Sequence, residues 1–455
     1  MNETMVNNLG IQNILNINYG KVFGSLKDLN LRKVSIDSRS LQPGDLFLAL
    51  KGPKNDGHNY IKEADSRGAS CFVVEKKINT KKPYILVEDS YKFLDKLANY
   101  RRKKFKGKMI CLTGSNGKTT TKEIIYSLLS SLGPCHRTEG NKNNQIGVPL
   151  TLSCLDKNNI FSVIEVGTSS PGEINKLANI VKPDIGLITN VAPSHLEGLG
   201  SVNKIAEEKG ALLENLATTG VAVLPRDSVF FEQWKERNNS SNLISFGMSQ
   251  EADVSLDIIE MDIYKNLTTF EVKANGKDFQ CKLGTVGIHN ALNATAAFAV
   301  ALALNLDLKE LNKSLKRVEF PSRRLSVHKL HKGSLLIDDS YNANPESMKK
   351  SLDLLGDIKG KKRIFVAGEM AELGFEEKLY HQEVCKYSEE RVDEFLCVGE
   401  LWKESQKKDN HKSKLFDSKD KLLDYLREKI GKDSVIMVKG SRSASMEYIV
   451  DKLKL

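Results

Sequence analysis

The stretch Leu112-Thr-Gly-Ser-Asn-Gly-Lys-Thr-Thr120 joins an apolar run, residues 109–112, to a helical pattern that extends to Leu132. A strand, a glycine-rich turn and a helix start in this order form an anion site, because the backbone comes close to a phosphate and free N–H groups point at it. Lys118 would add a charge for the outer phosphates, and Thr119 a hydroxyl oxygen for Mg²⁺. The predicted phosphate-binding residues are Gly114, Ser115, Asn116, Gly117, Lys118, Thr119 and Thr120.

The turn departs from the usual P-loop pattern at its first position, where Leu112 stands in place of glycine. The alternative interpretation is a Gly/Asn turn that happens to precede a helix. The strand and helix signals on its two sides favour a nucleotide phosphate site.

Composition indicates a soluble, several-domain protein. The chain has 455 residues, 40% of them hydrophobic and 28% charged, with a formal net charge of +10, and this length suggests about three domains. The basic run Arg101–Lys108 is interpreted as a solvated linker, and no DNA-reading motif accompanies it. Residues 1–20 lack the pattern of a signal peptide, the longest apolar run (296–304) is too short to span a membrane, and the scattered cysteines fit a reducing compartment. A cytoplasmic location is therefore expected.

Apolar runs and helical patterns alternate along the chain, which predicts an α/β fold. We expect three domains: a small N-terminal α/β domain (1–106), a central P-loop ATPase domain with a mainly parallel sheet (107–320) and a C-terminal Rossmann-like domain (321–455). Ligands of such sheets bind at the carboxyl ends of the strands.

Three residues near predicted strand ends or in a following helix are candidates for chemistry. Glu165 could complete a Mg²⁺ site with Thr119, or it could be a solvent-facing glutamate. His195 could bind a metal or be an ordinary turn residue. Lys209 lies in a helical pattern and reads as a solvated lysine.

Two further segments carry polar groups suited to ligands. Asn290 and Asn293 lie one turn apart at the start of an alanine-rich helix, where they could meet an adenine edge, or Asn290 could cap the helix. Polar clusters follow three apolar runs of the C-terminal region, at 338–345, 368–374 and 439–442, and resemble a binding rim.

Together these segments resemble the ATP-dependent Mur ligases of bacterial cell-wall synthesis, over essentially the whole chain. The resemblance rests on Thr113–Thr120, on Asn190–Gly198 and on Gly287–Asn293. Asp338–Pro345 and Lys439–Arg442 are similar to the branch that adds D-alanyl-D-alanine to a UDP-N-acetylmuramoyl-tripeptide. The tripeptide-forming branch shares the N-terminal motifs, but its Asn-Pro-Arg motif is absent here.

The resemblance implies roles for residues whose own patterns are ambiguous. It implies one Mg²⁺ at Thr119 and Glu165, and a second at His195 and a carbamylated lysine, whose position Lys209 occupies. The implied catalytic residues are Lys118, Lys209, His195 and Glu165. The implied ATP-binding residues outside the P-loop are Asn290, Asn293, Arg324 and Asp339. The implied substrate-binding residues are Ser38, Arg39 and His58 for the uridine end, Asn141 and Asn144 for the muramoyl side, and Tyr341, Asn342, Asn344, Lys439, Ser441 and Arg442 in the C-terminal domain.

The implied activity is an ADP-forming amide ligation through an acyl phosphate, which converts the tripeptide precursor into a pentapeptide. Its cofactors would be ATP and Mg²⁺, and its partners UDP-MurNAc-tripeptide and D-Ala-D-Ala, with no nucleic acid, no membrane span and a monomeric chain. The alternatives are a tripeptide-forming Mur ligase, a folylpolyglutamate-type synthase, and a non-catalytic nucleotide-binding protein that associates with nucleic acid.

Overall fold

The computed structural model describes residues 9–27, 29–405, 412–431 and 433–454. Residues 1–8, which belong to the segment assessed for a signal peptide, lie outside the described residues. In the described part of the chain the strands form three sheets, and each sheet is covered by helices. The three-domain α/β class predicted from the sequence is confirmed.

The N-terminal sheet has the strand order β1-β5-β4-β3-β2, and only β1 is antiparallel to its neighbour. Its central strands β3 and β4 are buried along their whole length, as their apolar runs predict. The bounds are β1 (Lys21–Phe23), β2 (Val34–Ser35), β3 (Leu46–Leu48), β4 (Cys71–Val74), β5 (Tyr84–Leu86), α1 (Ile11–Asn16), α2 (Ile61–Ser66) and α3 (Ser90–Lys104).

The central sheet has the order β14-β13-β12-β11-β10-β9-β6-β8-β7, with parallel pairing from β7 to β12. Its strands are β6 (Lys108–Thr113), β7 (Cys135–Arg137), β8 (Phe161–Glu165), β9 (Ile185–Ile188), β10 (Val221–Pro225), β11 (Asn242–Gly247), β12 (Val254–Asp262), β13 (Leu267–Ala274) and β14 (Lys277–Leu283). Its helices are α4 (Lys118–Ser130), α5 (Gly147–Ser153), α6 (Glu173–Val181), α7 (Leu196–Leu199), α8 (Val202–Glu214), α9 (Phe231–Arg237), α10 (Ile288–Ala303) and α11 (Leu308–Asn312).

The sequence reasoning missed the antiparallel part of this sheet, strands β12 to β14. Residues along β13 alternate between buried and partly buried, the pattern of a strand with one face on the core. Asn275 and Gly276, both with positive φ, make the turn between β13 and β14. An Asn-Gly pair between alternating runs is a hairpin signal, so this part could have been predicted.

The C-terminal sheet has the order β15-β16-β20-β17-β18-β19, parallel except for β15. The apolar runs at 335–337, 364–367, 395–398 and 435–438 predict four of its strands, whereas the short edge strands β15 and β19 were not anticipated. The bounds are β15 (Ser326–Lys329), β16 (Leu335–Asp339), β17 (Lys362–Ala367), β18 (Glu394–Val398), β19 (Ser413–Phe416), β20 (Ser434–Lys439), α12 (Pro345–Gly356), α13 (Glu377–Ser388), α14 (Lys419–Lys429) and α15 (Glu447–Lys454).

Helix α10 is the main apolar support of the central sheet. It packs against α4 and against the inner strands, and most of its residues are buried. Among the described residues, no helix is both long and apolar enough to cross a membrane.

The interpretation of Arg101–Lys108 as a solvated linker is wrong for its first half. Residues 101–104 form the last turn of α3, and the Arg101 side chain is buried. Its guanidinium donates to the carbonyl oxygens of Leu9 and Leu155, and that of Arg102 donates to the carbonyl oxygens of Val181 and Lys182. Both arginines therefore hold the C-terminal end of α3 against the central part of the chain.

We expect Arg101→Met to destabilise the protein by about 1–3 kcal/mol, because buried carbonyl oxygens lose their donor. The matched control is Lys103→Met, which removes the same charge from an exposed position of the same helix and should change stability by less than about 0.5 kcal/mol. Differential scanning calorimetry of the two variants measures the difference. Equal shifts in unfolding temperature for the two variants would contradict a stabilising role of the Arg101 hydrogen bonds.

Candidate active site

The carboxyl edge of the central sheet faces the C-terminal sheet across a cavity of about 590 Å³. Three segments that are far apart in sequence line it: the P-loop with the start of α4, the loop 141–144, and the segment 339–351. Lys439, at the end of β20, also lines it. Strand ends of the central sheet and the first turns of α10 complete the wall. The position agrees with the rule that ligands bind at the carboxyl ends of parallel strands.

Two glycines let the P-loop take its shape. Gly114 lies so close to Thr189 that a Cβ atom would collide with its hydroxyl. Gly117 has φ 78°, and a Cβ there would collide with the Asn293 amide. Helix α4 starts at Lys118, so the amides of its first turn have no intrahelical acceptor and remain available to an anion.

Lys118 folds back over the P-loop. Its ammonium donates to the carbonyl oxygens of Gly114 (2.5 Å) and Ser115 (3.2 Å). Burial lowers the pKa of Lys118, Glu165 acts in the opposite direction, and the Arg324 charge lowers this pKa further. The Lys118 side chain thus lies over the turn that the sequence predicts to bind phosphate, and an anionic ligand there would favour its charged form.

Glu165 ends β8 and is only 1% exposed, so the solvent-facing alternative is wrong. Its Oε1 accepts hydrogen bonds from Asn143 Nδ2 (2.7 Å) and from the Thr119 hydroxyl (3.3 Å). Its Oε2 is buried and accepts no hydrogen bond from any residue that the structure describes. A buried carboxylate oxygen without a donor is costly unless a cation is nearby.

The nearest cation to that oxygen belongs to Lys122, which the sequence reasoning missed. Its fully buried ammonium lies 3.7 Å from Glu165 Oε2 and 3.2 Å from Glu123 Oε1, and it donates to the Gly140 carbonyl oxygen at 2.9 Å. Lys122 stands one helical turn after Lys118, and that spacing on a helix leading from a P-loop is the only local signal of its position.

Lys209 is buried inside the fold, so the interpretation as a solvated helix lysine is wrong. Helix α8 carries it against the sheet, and its residues 209–213 are all buried. Burial lowers the pKa of the Lys209 amine well below its ordinary value, and the Lys118 charge acts in the same direction. A neutral amine at this position is the form that can react with CO₂.

The C-terminal sheet contributes charged groups to the same cavity. Arg324 donates to the Thr119 hydroxyl at 3.1 Å, and its guanidinium lies 4.1 Å from the centre of the Tyr341 ring. Lys439 and Asp339, at the ends of adjacent strands, form a largely buried ion pair at 2.5 Å. The sequence-predicted residues Arg324, Asp339, Tyr341 and Lys439 are therefore brought together.

Asn342 and Asn344 line the cavity as predicted. The main-chain carbonyl oxygen of Asn342 accepts from the Lys439 ammonium at 3.1 Å. Asn344 caps α12 and exchanges hydrogen bonds with the side chain of Asn116 in the P-loop, at 2.8 and 3.4 Å. This amide pair joins the C-terminal domain directly to the phosphate loop.

His195 lines the cavity and has φ 53°, in the left-handed region. Its side chain makes no cap hydrogen bond for α7. Its Nδ1 instead contacts the Glu372 carboxylate, which belongs to the polar cluster 368–374 of the C-terminal domain. Glu372 was not identified as a site residue, because nothing local links it to a histidine 177 residues away.

The two asparagines of α10 differ in their surroundings. Asn290 donates to the Val286 carbonyl oxygen at 2.8 Å and holds the chain entering the helix. It does not cap α10, because Gly287 is the N-cap and no side chain of the described residues makes a cap hydrogen bond there. Asn293 lies against Gly117 beside the phosphate site. Their neighbour His289 also lines the cavity, and burial lowers its pKa to about 4.

Asn141 and Asn144 line the cavity, together with Asn143. Asn144 Oδ1 accepts from the amides of Ile146 and Gly147 and so shapes the turn into α5. Asn143 binds Glu165, which ties this loop to the strand end.

Seven predicted residues do not line this cavity: Gly114 and Lys209 of the central domain and, in the other two domains, Ser38, Arg39, His58, Ser441 and Arg442.

The side chains of these last five residues bond within their own domains. The Ser38 hydroxyl donates to Glu63, and Arg39 pairs with Asp37. His58 uses both ring nitrogens, because Nδ1–H donates to Asp56 and Nε2 accepts the Glu75 amide. The Ser441 hydroxyl contacts Ser443, and Arg442 pairs with Glu447.

The donor set fits a hard cation that is also bound by phosphate. In the described part of the chain, no three His, Cys, Asp or Glu side chains converge into a metal site. The Thr119 hydroxyl and the Glu165 carboxylate, with its unpartnered Oε2, offer oxygen ligands of the kind Mg²⁺ prefers and leave positions for phosphate oxygens.

Comparisons with known proteins agree with this geometry. The Mur ligase middle domain matches residues 112–301, the glutamate ligase domain of Mur ligases matches 323–442, and the Mur ligase catalytic domain matches 30–102. The UDP-N-acetylmuramoyl-tripeptide--D-alanyl-D-alanine ligase of Buchnera aphidicola subsp. Acyrthosiphon pisum is 35% identical over 98% of both chains.

Solved structures show the same relation. A crystal structure of MurF from Acinetobacter baumannii has a TM-score of 0.88 and 31% identity, and it covers 97% of this chain and 98% of its own. The MurF ligase from Thermotoga maritima in complex with ADP has a TM-score of 0.80 and 31% identity, with 94% and 98% covered. Full-length similarity at this level, together with the P-loop cavity, places the chain in the Mur ligase family.

Proposed function

We propose that this chain joins D-alanyl-D-alanine to UDP-N-acetylmuramoyl-tripeptide and converts ATP to ADP and phosphate. The observation that carries the proposal is the placement of the P-loop opposite the Asp339–Lys439 pair across one cavity. Relatives that match almost the whole chain bear the name of this activity. The tripeptide-forming and folylpolyglutamate alternatives are not favoured.

The chemistry explains why ATP is needed. A carboxylate is a poor electrophile and does not condense with an amine in neutral water. In the proposed reaction the terminal carboxylate of the tripeptide attacks the γ-phosphorus of ATP, ADP leaves, and an acyl phosphate forms. The amine of D-Ala-D-Ala then attacks the acyl carbon, phosphate departs with the C–O electron pair, and the nitrogen loses a proton.

The chain's own residues would hold the reacting anions together. The amides at the start of α4 and the Lys118 ammonium would bind the outer phosphates, and Lys118 would leave its carbonyl partners to do so. Arg324, now bonded to Thr119, is placed to contact the same phosphates. These groups would offset the repulsion between the carboxylate and ATP.

Mg²⁺ bound at Thr119 and Glu165, with a second ion at His195 and a carbamylated Lys209, would neutralise charge on the phosphate oxygens. The unpartnered Oε2 of Glu165 supports the first site. The buried amine of Lys209, whose pKa is lowered well below its ordinary value, supports the second, because carbamylation would place an anion among cations.

The C-terminal domain would also protect the acyl phosphate from water. Its contacts through Asn344 and Arg324 lie directly on the P-loop and the start of α4. An intermediate formed under this cover reacts with the amine instead of water.

Adenine is proposed to lie at Asn293, near the first turn of α10. The uridine end is proposed to lie in the N-terminal domain near Ser38, Arg39 and His58. Because His58 has both ring nitrogens occupied, we propose that it shapes this region and that the exposed Arg39 meets the ligand.

The proposal also takes the chain as a cytoplasmic monomer, since the reaction consumes ATP and one chain supplies all the named residues.

The decisive test of function is phosphate release by the purified protein with ATP, Mg²⁺ and UDP-MurNAc-tripeptide. We expect release only when D-Ala-D-Ala is added, with a pentapeptide product by mass spectrometry. Single amino acids, and glutamate with a folate acceptor, serve as controls. Turnover with one of those and not with the dipeptide would move the chain to another activity in the ligase superfamily.

Lys118→Ala should reduce ATP-dependent turnover by about 10²–10³-fold or more, because the transition state loses a preorganised charge. The Lys176→Ala variant, which changes an exposed lysine that does not line the cavity, should keep normal turnover. Steady-state phosphate release measures both. Near-normal rates for Lys118→Ala would refute the P-loop assignment.

Lys209 is expected to carry a carbamate at pH 8. The lowered pKa increases the fraction of neutral amine, which is the form that reacts with CO₂, whereas acid reverses carbamate formation. Protein equilibrated with ¹³C-bicarbonate should therefore show a carbamate carbon by NMR that fades as the pH falls.

The signal should be absent from Lys209→Ala and present in Lys204→Ala, which changes a lysine of the same helix. Turnover of Lys209→Ala should be partly restored by small added carboxylates. A carbamate signal that survives in Lys209→Ala would show that the modified lysine is another one.

A further inference from the structure

Glu372 lies at a contact that the proposed reaction does not yet use. Its carboxylate meets Nδ1 of His195, the proposed metal ligand, from the opposite domain. Both residues have left-handed backbone conformations, with φ 62° for Glu372 and φ 53° for His195. Non-glycine residues adopt this region at an energetic cost, so the surrounding structure must hold both in place.

The segment that carries Glu372 is firmly held within the C-terminal domain. The Glu369 carbonyl oxygen accepts the Ser441 amide at 2.9 Å, and its carboxylate accepts the Leu401 amide at 2.9 Å. The amide of Met370 donates to Nε2 of the buried His381 at 3.0 Å. Glu372 is therefore presented from a fixed support and not from a free loop end.

The contact with the central domain extends beyond one pair of side chains. The amide of Glu197 donates to the Glu372 carbonyl oxygen at 3.2 Å. Leu196 and Leu199 share an apolar cluster with Met370 and Leu373. Backbone and apolar contacts thus keep the carboxylate opposite the imidazole.

This arrangement determines which imidazole nitrogen is free. A carboxylate only accepts, so a neutral His195 donates its single N–H from Nδ1. Nε2 then keeps its lone pair, and it makes no hydrogen bond within the described residues. A histidine that binds metal through one nitrogen commonly donates its other N–H to a carboxylate, which orients the ring and makes the ligand more basic.

We infer that Glu372 is a positioning residue that holds His195 in its Nδ1–H tautomer, with Nε2 ready to bind the second metal ion. Because the carboxylate comes from the C-terminal domain, this metal ligand is completed only when that domain is docked on the central one. The inference rests on the metal-binding role of His195 in the proposed function.

The first test follows the tautomer directly. Full-length protein labelled with ¹⁵N-histidine is examined by NMR at pH 8.5 without metal or nucleotide, and His195→Gln identifies the signal. We expect Nδ1 to be protonated and Nε2 unprotonated in the wild type and in Glu372→Gln, whose amide oxygen still accepts. Glu372→Ala should relax to the mixture of tautomers found in water.

The second test measures metal affinity without turnover. Mn²⁺ is titrated by electron paramagnetic resonance in the presence of a non-hydrolysable ATP analogue. The weaker of the two sites should lose affinity by about 10–100-fold in Glu372→Ala and by only a few-fold in Glu372→Gln. Glu376→Gln removes the same charge from an exposed position four residues away and should bind Mn²⁺ normally.

Several results would overturn the inference. One is a wild-type His195 with its proton on Nε2 or on both nitrogens, and another is an unchanged Mn²⁺ affinity in Glu372→Ala. A third is small-angle scattering that shows domain opening in Glu372→Ala while the tautomer stays as in the wild type, since Glu372 would then only join the domains. None of these readouts needs D-Ala-D-Ala, so they are independent of the ligase assay.

Discussion

Burial of lysine side chains in the central domain is the constraint on which the site depends. Lys122 and Lys209 are almost completely enclosed, and Lys118 lies over the P-loop. The buried carboxylates among them are Glu165 and Glu123. An enclosed ammonium without a counter-charge costs roughly several kcal/mol. A bound phosphate chain would offset this cost for the lysines near the P-loop. Carbamylation of Lys209 would replace its amine by an anion.

The carboxyl edge of the central sheet is where the C-terminal domain meets the central one. Arg324 reaches Thr119, Asn344 pairs with Asn116, and Glu372 meets His195. Each contact falls on a residue proposed to bind phosphate or metal. Domain docking and assembly of the site are therefore one event, which suits a reaction whose intermediate must be kept from water.

The N-terminal domain takes part through a different kind of contact. Arg101 and Arg102 hold the end of its last helix against backbone carbonyl groups of the central part of the chain. These bonds are directional and partly buried, so they fix where the N-terminal sheet lies relative to the cavity. In the proposed reaction, this domain would bind one end of a long substrate while the other end reaches the P-loop.

Local sequence was sufficient for much of the fold. The P-loop, the helix after it and the strands β6, β8, β9 and β10 of the central sheet were predicted because neighbouring residues determine a turn, a period or a buried run. Residues 254–283 could have been predicted as well, since Asn275-Gly276 carries a hairpin signal. The edge strands β15 and β19 are short and partly exposed, so their sequence carries little pattern.

The sequence by itself determined the class of chemistry, because a glycine-rich turn between a strand and a helix binds phosphate wherever it occurs. Only the tertiary structure decided which charges act there. Burial of Lys209 and Lys122 comes from helices packing on a sheet, and nothing in their neighbours along the chain reports it. The pairing of Glu372 with His195 joins two domains, and such contacts exist only once the chain has folded.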